Sequence, residues 1–208
     1  MNIGVLDYGA GNLKNVCRAI NHLGFKFQLV STPESVQSVD KLVIPGVGAF
    51  RVAMSQLESL NLTESIIELA HKDVPILGIC LGMQLLFEES NEFGKTKGLG
   101  LLKGTIGLIP SVDSKGETLK VPHIGWNELH LQECKMDLTE GVYTGDAVYF
   151  VHSFRALDYI DDELLAYCSY GAEVIPAIVG KNNVVGCQFH PEKSGEVGLR
   201  IFENFLND

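Results

Sequence analysis

No C-x-x-C pair occurs in these 208 residues, and the five cysteines, Cys17, Cys80, Cys134, Cys168 and Cys187, are odd in number. Neither a disulfide framework nor a zinc knuckle fits that spacing, and the histidines and cysteines show no metal-ligand pattern. A reducing cytoplasm is the expected setting, so each thiol needs an explanation as core filler or as chemistry. Basic residues are also scarce, 16 against 26 acidic, for a formal charge of -10. That excludes a nucleic-acid binder of the usual kind, whose affinity rests on Lys and Arg neutralising phosphates. No apolar run approaches the ~18 to 20 residues of a membrane helix. The opening Met1-Asn2-Ile3-Gly4-Val5-Leu6 has no basic leader and meets Asp7 at once, so it reads as a strand. Repeats, linkers and low-complexity tracts are missing as well, and the length suits one domain over 1–208.

What is present in the first half is alternation of strand and helix. Ile3 to Leu6 leads into Asp7-Tyr8-Gly9-Ala10-Gly11-Asn12, after which Leu13, Val16, Cys17, Ile20 and Leu23 recur at helical spacing, with Gly24 at the expected helix end. Phe25 to Val30 predicts a second strand, and Lys41 to Ile44 a third that Pro45-Gly46 should stop. Helices follow around Ala53 to Leu60 and Thr63 to Lys72, then a strand over Val74 to Ile79 and a helix over Gly82 to Glu89. Strands separated by helices imply crossovers and a mostly parallel sheet covered on both faces. In the second half apolar runs crowd together, at Gly104 to Ile109, Ala147 to Phe154, Leu164 to Tyr170, Ala177 to Val179 and Val184 to Phe189, with turn signals such as Lys181-Asn182-Asn183. Leu199, Phe202, Phe205 and Leu206 mark a last helix. The fold class is therefore α/β, a mostly parallel sheet flanked by helices with an added, partly antiparallel strand region.

The most informative segment is Gly78-Ile79-Cys80-Leu81-Gly82-Met83-Gln84, where an apolar strand runs into Gly-x-Cys-x-Gly and then a helix. This is the layout of a nucleophile elbow with cysteine in the place of serine. A sharp strand-to-helix turn brings neighbouring backbone close, so side chains at the flanking positions would collide. The helix N-terminus favours thiolate, and the Leu81 N–H points to where an oxyanion would form. The other cysteines lack that setting: Cys17 falls on the apolar face of a helix, Cys168 and Cys187 in strand-like runs, and Cys134 in a polar stretch.

A thiolate nucleophile needs a histidine to hold the proton and return it to the leaving group. Of His22, His71, His123, His130, His152 and His190, the first two fall near helix ends. His190 directly follows the run Val184 to Phe189, at the strand end where open α/β sheets keep their sites. In His190-Pro191-Glu192 the proline stiffens the turn and Glu192 is placed to orient the imidazole. Pro45-Gly46-Val47-Gly48 is either a plain turn or a source of backbone N–H groups for a second oxyanion donor. Gly9-Ala10-Gly11 is a false lead toward dinucleotide binding, because the third glycine of that pattern falls at Lys14. No cofactor and no metal are expected.

Pro45-Gly46-Val47-Gly48, Gly78 to Gln84 and His190-Pro191-Glu192 together resemble the three signatures of class I glutamine amidotransferases. Within that class, Asp7 to Asn12, His123-Ile124-Gly125-Trp126-Asn127 and Tyr149-Phe150-Val151-His152-Ser153-Phe154 look most like the glutaminase subunits of imidazole glycerol phosphate synthase. The resemblance spans nearly the whole chain. It implies glutamine as substrate, Cys80 attacking the side-chain amide, and His190 with Glu192 completing a triad. It also implies an oxyanion site from backbone near Val47 or Gly48 and at Leu81. Gly48, Gln84 and Glu92 would contact glutamine, helped by the backbone of Ser153 and Phe154. Phe154 stands where a tyrosine is often found, which matters little if its backbone is the working part. The implied partner is a barrel-shaped cyclase subunit, in a heterodimer that passes ammonia to a ribonucleotide-derived intermediate in histidine biosynthesis. Asn12, Asn15, Trp126 and Lys193 are the interface candidates; Trp126 also fits a core aromatic, and Lys193 a solvated surface lysine.

Other readings differ in what they would need. Glutaminases of pyridoxal phosphate or anthranilate synthesis are disfavoured by Asp7 to Asn12 and His123 to Asn127. A paralogous subunit feeding a surface-sugar amidation synthetase would carry the same catalytic motifs. A non-catalytic binding subunit on this fold would be expected to lack Cys80, His190 or Glu192, and all three are present. A cysteine hydrolase of unrelated amides would not need Tyr149 to Phe154.

Overall fold

The computed structural model describes residues 1–132 and 137–207, so Cys134 lies outside the described residues. The chain opens with β1 (Ile3–Leu6), α1 (Leu13–His22), β2 (Phe27–Val30), a short α2 (Pro33–Val36) and β3 (Lys41–Gly46). Two helices, α3 (Phe50–Ser59) and α4 (Leu62–His71), precede β4 (Ile76–Cys80) and the five-residue α5 (Leu81–Leu85). Strands then dominate: β5 (Phe87–Ser90), β6 (Thr96–Lys97), β7 (Leu102–Leu108), β8 (His123–Glu128), β9 (His130–Leu131) and β10 (Ala147–His152). They continue as β11 (Phe154–Leu157), β12 (Leu164–Tyr170), β13 (Glu173–Lys181) and β14 (Val184–Cys187), before α6 (Gly195–Asn207).

Among the described residues the main sheet has eight strands in the order β2-β1-β3-β4-β14-β13-β12-β9. The first five pair parallel, and β13, β12 and β9 extend the sheet antiparallel. This is the α/β architecture expected from the alternating pattern, with the antiparallel addition made by the strand-rich second half. Two smaller sheets stand beside it, the antiparallel pair β8 and β10 and a four-stranded sheet in the order β11-β7-β5-β6.

Burial follows the strand period of two. Ile3, Val5, Val43, Leu77 and Ile79 point to one face, where Val16 and Ile20 of α1 and Ile201, Phe202 and Phe205 of α6 cover them. Leu6, Leu42, Ile44 and Ile76 point to the other, against Phe50, Ala53 and Leu57 of α3 and Ile66 and Leu69 of α4. Both faces of β1, β3, β4 and β14 are thus closed to water, while the edge strand β2 stays partly exposed. No helix among the described residues is long and apolar enough to cross a membrane.

Several boundaries differ from the sequence reading. Strand β3 does not stop before Pro45 but runs through Gly46, with Pro45 opposite Ile79 and Gly46 opposite Cys80. The β1 side of that ladder ends at Val43, so the missing proline N–H costs no ladder bond there. The helix expected over Gly82 to Glu89 ends at Leu85, because Phe87 pairs with Leu102 and Ser90 with Ile106 in a parallel strand. The run Ala147 to Phe154 is two strands that part at Ser153 and enter different sheets.

Candidate functional site

Three adjacent parallel strands, β3, β4 and β14, end side by side at Gly46, Cys80 and Cys187. The loops leaving their carboxyl ends carry Val47 and Gly48, Leu81 with α5, and Gln188 to Glu192. Register alone therefore brings segments more than a hundred residues apart to one edge, where ligand sites of open α/β sheets lie.

Cys80 sits at the bend with φ 55 and ψ -110, a backbone conformation that L residues avoid. The two flanking glycines make the bend sterically feasible. A Cβ on Gly78 would lie 2.6 Å from the Gly82 carbonyl oxygen, and one on Gly82 would overlap the carbonyl of Ile44. Gly48 has a different reason for being glycine, a φ of +108 with open space around it. Because α5 has only five residues, it carries less of a dipole toward Cys80 than the longer helix expected from the sequence.

His190 is buried and packed beside the sulfur. Its Nδ1 lies 2.8 Å from Oε1 of Glu192, and both side chains are almost completely shielded from water. Nε2 is the nitrogen left for Cys80; it is buried and has no hydrogen-bond partner among the described residues. Burial works against a charged ring, yet the neighbouring Cys80 and Glu192 favour the charged form, outweigh it and raise the His190 pKa to about 9. Tyr8 approaches the same sulfur from the end of β1. Its hydroxyl donates to the Pro45 carbonyl at 2.9 Å, and burial, with the Cys80 charge, pushes its pKa up so that the phenol stays neutral.

Beside the sulfur opens a cleft of about 360 Å³ lined by Val47, Gly48, Cys80, Leu81, Gln84, Glu92, Pro122, Val151, His152, Ser153, Phe154 and His190. Such a volume suits a small polar molecule. All the residues singled out for catalysis, the oxyanion and glutamine contact border it, except Glu192, which lies behind His190. Glu92 is buried, and its Oε2 accepts a hydrogen bond from the Phe50 N–H at 2.6 Å. Gln84 donates from Nε2 to the Phe154 carbonyl at 3.2 Å and to Oε1 of Gln188 at 3.0 Å.

The four interface candidates gather around residues 190–195. Asn12 borders a crevice with His190 and Glu192, and Asn15 one with Glu192. Lys193 is exposed. Trp126 is 58% exposed on β8, edge-on to Tyr149, so it is a surface residue and the core reading of it is wrong.

Sequence reasoning assigned no role to Gln188, His123 or His152. Gln188 is fully buried, and its Nε2 lies 3.9 Å from the Cys80 sulfur. The available signal was a lone polar side chain within the apolar run Val184 to Phe189. His123 and His152 are a cross-strand pair whose Nδ1 and Nε2 lie 3.0 Å apart, and His152 Nδ1 donates to the Phe154 carbonyl at 2.8 Å. Burial lowers the pKa of His123 to about 4 and that of His152 to about 3.

Comparison with known proteins is consistent along the whole chain. Residues 4–208 match the family glutamine amidotransferase class-I. The imidazole glycerol phosphate synthase subunit HisH of Lactococcus lactis is 48% identical over 99% of this chain and 98% of that protein. Subunit HisH 1 of Legionella pneumophila strain Lens is 46% identical over the same shares. The HisH subunit of Halalkalibacterium halodurans is 47% identical over 98% of this chain and 94% of its own. Among solved structures, a glutamine amidotransferase superposes with a TM-score of 0.75 at 19% identity, covering 99% of this chain and 97% of its own. PurLQS from Thermotoga maritima does so at 0.73 and 23%, with the same coverage. The chain therefore belongs to the class I glutamine amidotransferases, in the branch of the HisH subunits of imidazole glycerol phosphate synthase.

Proposed function

We propose that this chain hydrolyses glutamine through Cys80, His190 and Glu192 and hands the ammonia to a cyclase subunit. The observation that carries the reading is the convergence of a strained-bend cysteine with a histidine held 2.8 Å from a buried carboxylate, on the wall of one cleft. The chemistry follows from those positions. The Cys80 sulfur attacks the side-chain amide carbon, and its proton resides on His190 Nε2. Backbone N–H groups of Leu81 and of Val47 or Gly48 receive the negative charge that develops on the amide oxygen. His190 protonates the amine as the C–N bond breaks, which leaves a glutamyl thioester and frees ammonia. Water, deprotonated by the same imidazole, then releases glutamate and restores the thiol. Glu192 keeps the Nδ1 proton in place throughout. Gly48, Gln84, Glu92 and the backbone of Ser153 and Phe154 hold the glutamine.

The relatives' shared name supports a cyclase as the partner and histidine biosynthesis as the pathway, ahead of a surface-sugar synthetase. A heterodimer in the cytoplasm is the expected working form, docked over the edge that carries Asn12, Asn15, Trp126 and Lys193. Direct transfer has a physical motive, since ammonia released to water is protonated to unreactive ammonium. The partner would then build imidazole glycerol phosphate and an aminoimidazole carboxamide ribotide.

The test is Cys80→Ala in the complex with its cyclase. Glutamine-dependent synthesis should be abolished while synthesis from added ammonia stays near wild type. Continued turnover with glutamine would remove Cys80 from the mechanism. The isolated chain should be a slow glutaminase that speeds up when cyclase and its ligand bind.

A further inference from the structure

Gln188 is the first residue after β14, two positions before His190, and its side chain is wholly buried. A buried carboxamide must satisfy both ends, and the neighbours determine which end faces which way. The Phe154 carbonyl can only accept, so Gln84 must direct its Nε2 there, at 3.2 Å. The other N–H of the same nitrogen is then aimed at Gln188, 3.0 Å away, so Gln188 must present Oε1 to it. That leaves the Gln188 Nε2 turned to Cys80 Sγ, at 3.9 Å. The amide orientation is fixed by an obligate acceptor two residues removed, a stronger assignment than an isolated glutamine permits.

Around the sulfur, Gln188 has a distinct role. The Val151 carbonyl, 4.0 Å from Sγ, is an acceptor and suits only the protonated thiol. His190 stabilises the thiolate while it holds the proton, but it must give that proton to departing ammonia. Gln188 offers an N–H that stays in place at every stage.

We propose that Gln188 is a further catalytic residue, a fixed amide donor to the Cys80 sulfur that stabilises the thiolate as it attacks and again as the thioester breaks. This rests on the glutaminase reading above. No proton changes hands at Gln188, and the donor remains an uncharged amide. The titratable groups facing the sulfur or the cleft beside it are His190, backed by Glu192, with His152 from β10, Tyr8 from the loop after β1 and Glu92 from the loop after β5.

The experiment follows the rate of Cys80 alkylation by iodoacetamide against pH, read on the Cys80 peptide by mass spectrometry, in the full chain and three variants. Gln188→Leu removes the donor and should move the profile up by about one pH unit, a tenfold slower reaction below the midpoint. Gln188→Glu, nearly isosteric, sets a carboxylate against the sulfur and should move it further. Gln84→Glu leaves Gln188 in the chain but draws its N–H toward the new carboxylate, and should shift the profile in the same direction. The two carboxylates also act on the thiolate through their charge alone, so the uncharged Gln188→Leu is the variant that reports the lost N–H. A Gln188→Leu profile that superimposes on the wild-type curve would overturn the proposal, and so would superimposed Gln188→Glu and Gln84→Glu profiles should Gln188→Leu fail to fold. Glutamate release from glutamine by the wild-type complex is measured alongside. Its absence, with the alkylation shifts intact, would sink the glutaminase reading while leaving the Gln188 contact to the sulfur standing.

Discussion

Oε1 of Glu192 lies 2.8 Å from Nδ1 of His190, and neither side chain is open to water. Burial opposes charge on the ring, and the partners Cys80 and Glu192 overcome it to give a pKa of about 9. Removing the carboxylate charge in Glu192→Gln should therefore lower the His190 titration midpoint, visible in the imidazole proton resonances. Glutamine-dependent turnover should fall by about 10²- to 10⁴-fold, the range over which a positioned acid–base group acts. Ammonia-dependent synthesis by the complex should be unaffected. An unchanged His190 midpoint would show that the carboxylate does not support the ring.

The bend at Cys80 yields a stability prediction. A methyl group at position 82 has nowhere to go, because the Ile44 carbonyl on the neighbouring strand occupies its place, and backbone cannot swing aside as a side chain does. Gly82→Ala should cost about 3 kcal/mol or more, at the upper end of overpacking effects. A urea denaturation midpoint within experimental error of wild type would show that β3 and α5 tolerate a wider separation at this point.

That steric demand is also why the site was legible before the fold was known. Gly-x-Cys-x-Gly between a strand and a helix is a local constraint, and His190 is reached by following one apolar run to its end. The β8 and β10 pair could not be found that way, because it joins segments some twenty residues apart by a register that no local pattern announces. Its cross-strand partners, His123 with His152 and Trp126 with Tyr149, became visible only with that register. Helix α5 was overextended for the same kind of reason. Phe87 satisfies helical spacing in the sequence, but its pairing with Leu102 across the smaller sheet decides its conformation. Gln188 escaped because a polar residue in a strand ordinarily marks an exposed face, and here it marks a buried contact with the Cys80 sulfur.

The His123 and His152 pair predicts an acid limb in stability. Burial lowers both pKa values, to about 4 and about 3, so below an unfolded-state value near 6.5 the unfolded chain binds protons that the native pair refuses. Their favourable contribution is complete above about pH 6.5 and is lost as pH falls toward 4. His190 has the opposite sign: its stabilisation is present below about 6.5 and is lost as pH rises through about 9. Between pH 6.5 and 5, the slope contributed by each lowered histidine should grow from about 0.7 toward about 1.4 kcal/mol per pH unit. In urea titrations across that window, His123→Gln should remove roughly half of the slope. A pH-independent midpoint in the wild type would mean that the pair is protonated in the native state.

Trp126 separates stability from association. It projects from β8 with 58% of its surface exposed, touching Tyr149 edge-on at 6.1 Å between ring centres. A large aromatic so exposed contributes little to the core, so Trp126→Ala should change the unfolding free energy by no more than about 0.5 kcal/mol. If this face receives the cyclase, the same substitution removes an aromatic anchor from the contact and should weaken the complex at least tenfold. The rate of Cys80 alkylation in the free chain should stay the same, because the indole does not border the sulfur. Titration of each variant with cyclase, followed by calorimetry, gives the affinity directly. Equal dissociation constants for Trp126→Ala and wild type would place the docking surface elsewhere on the molecule.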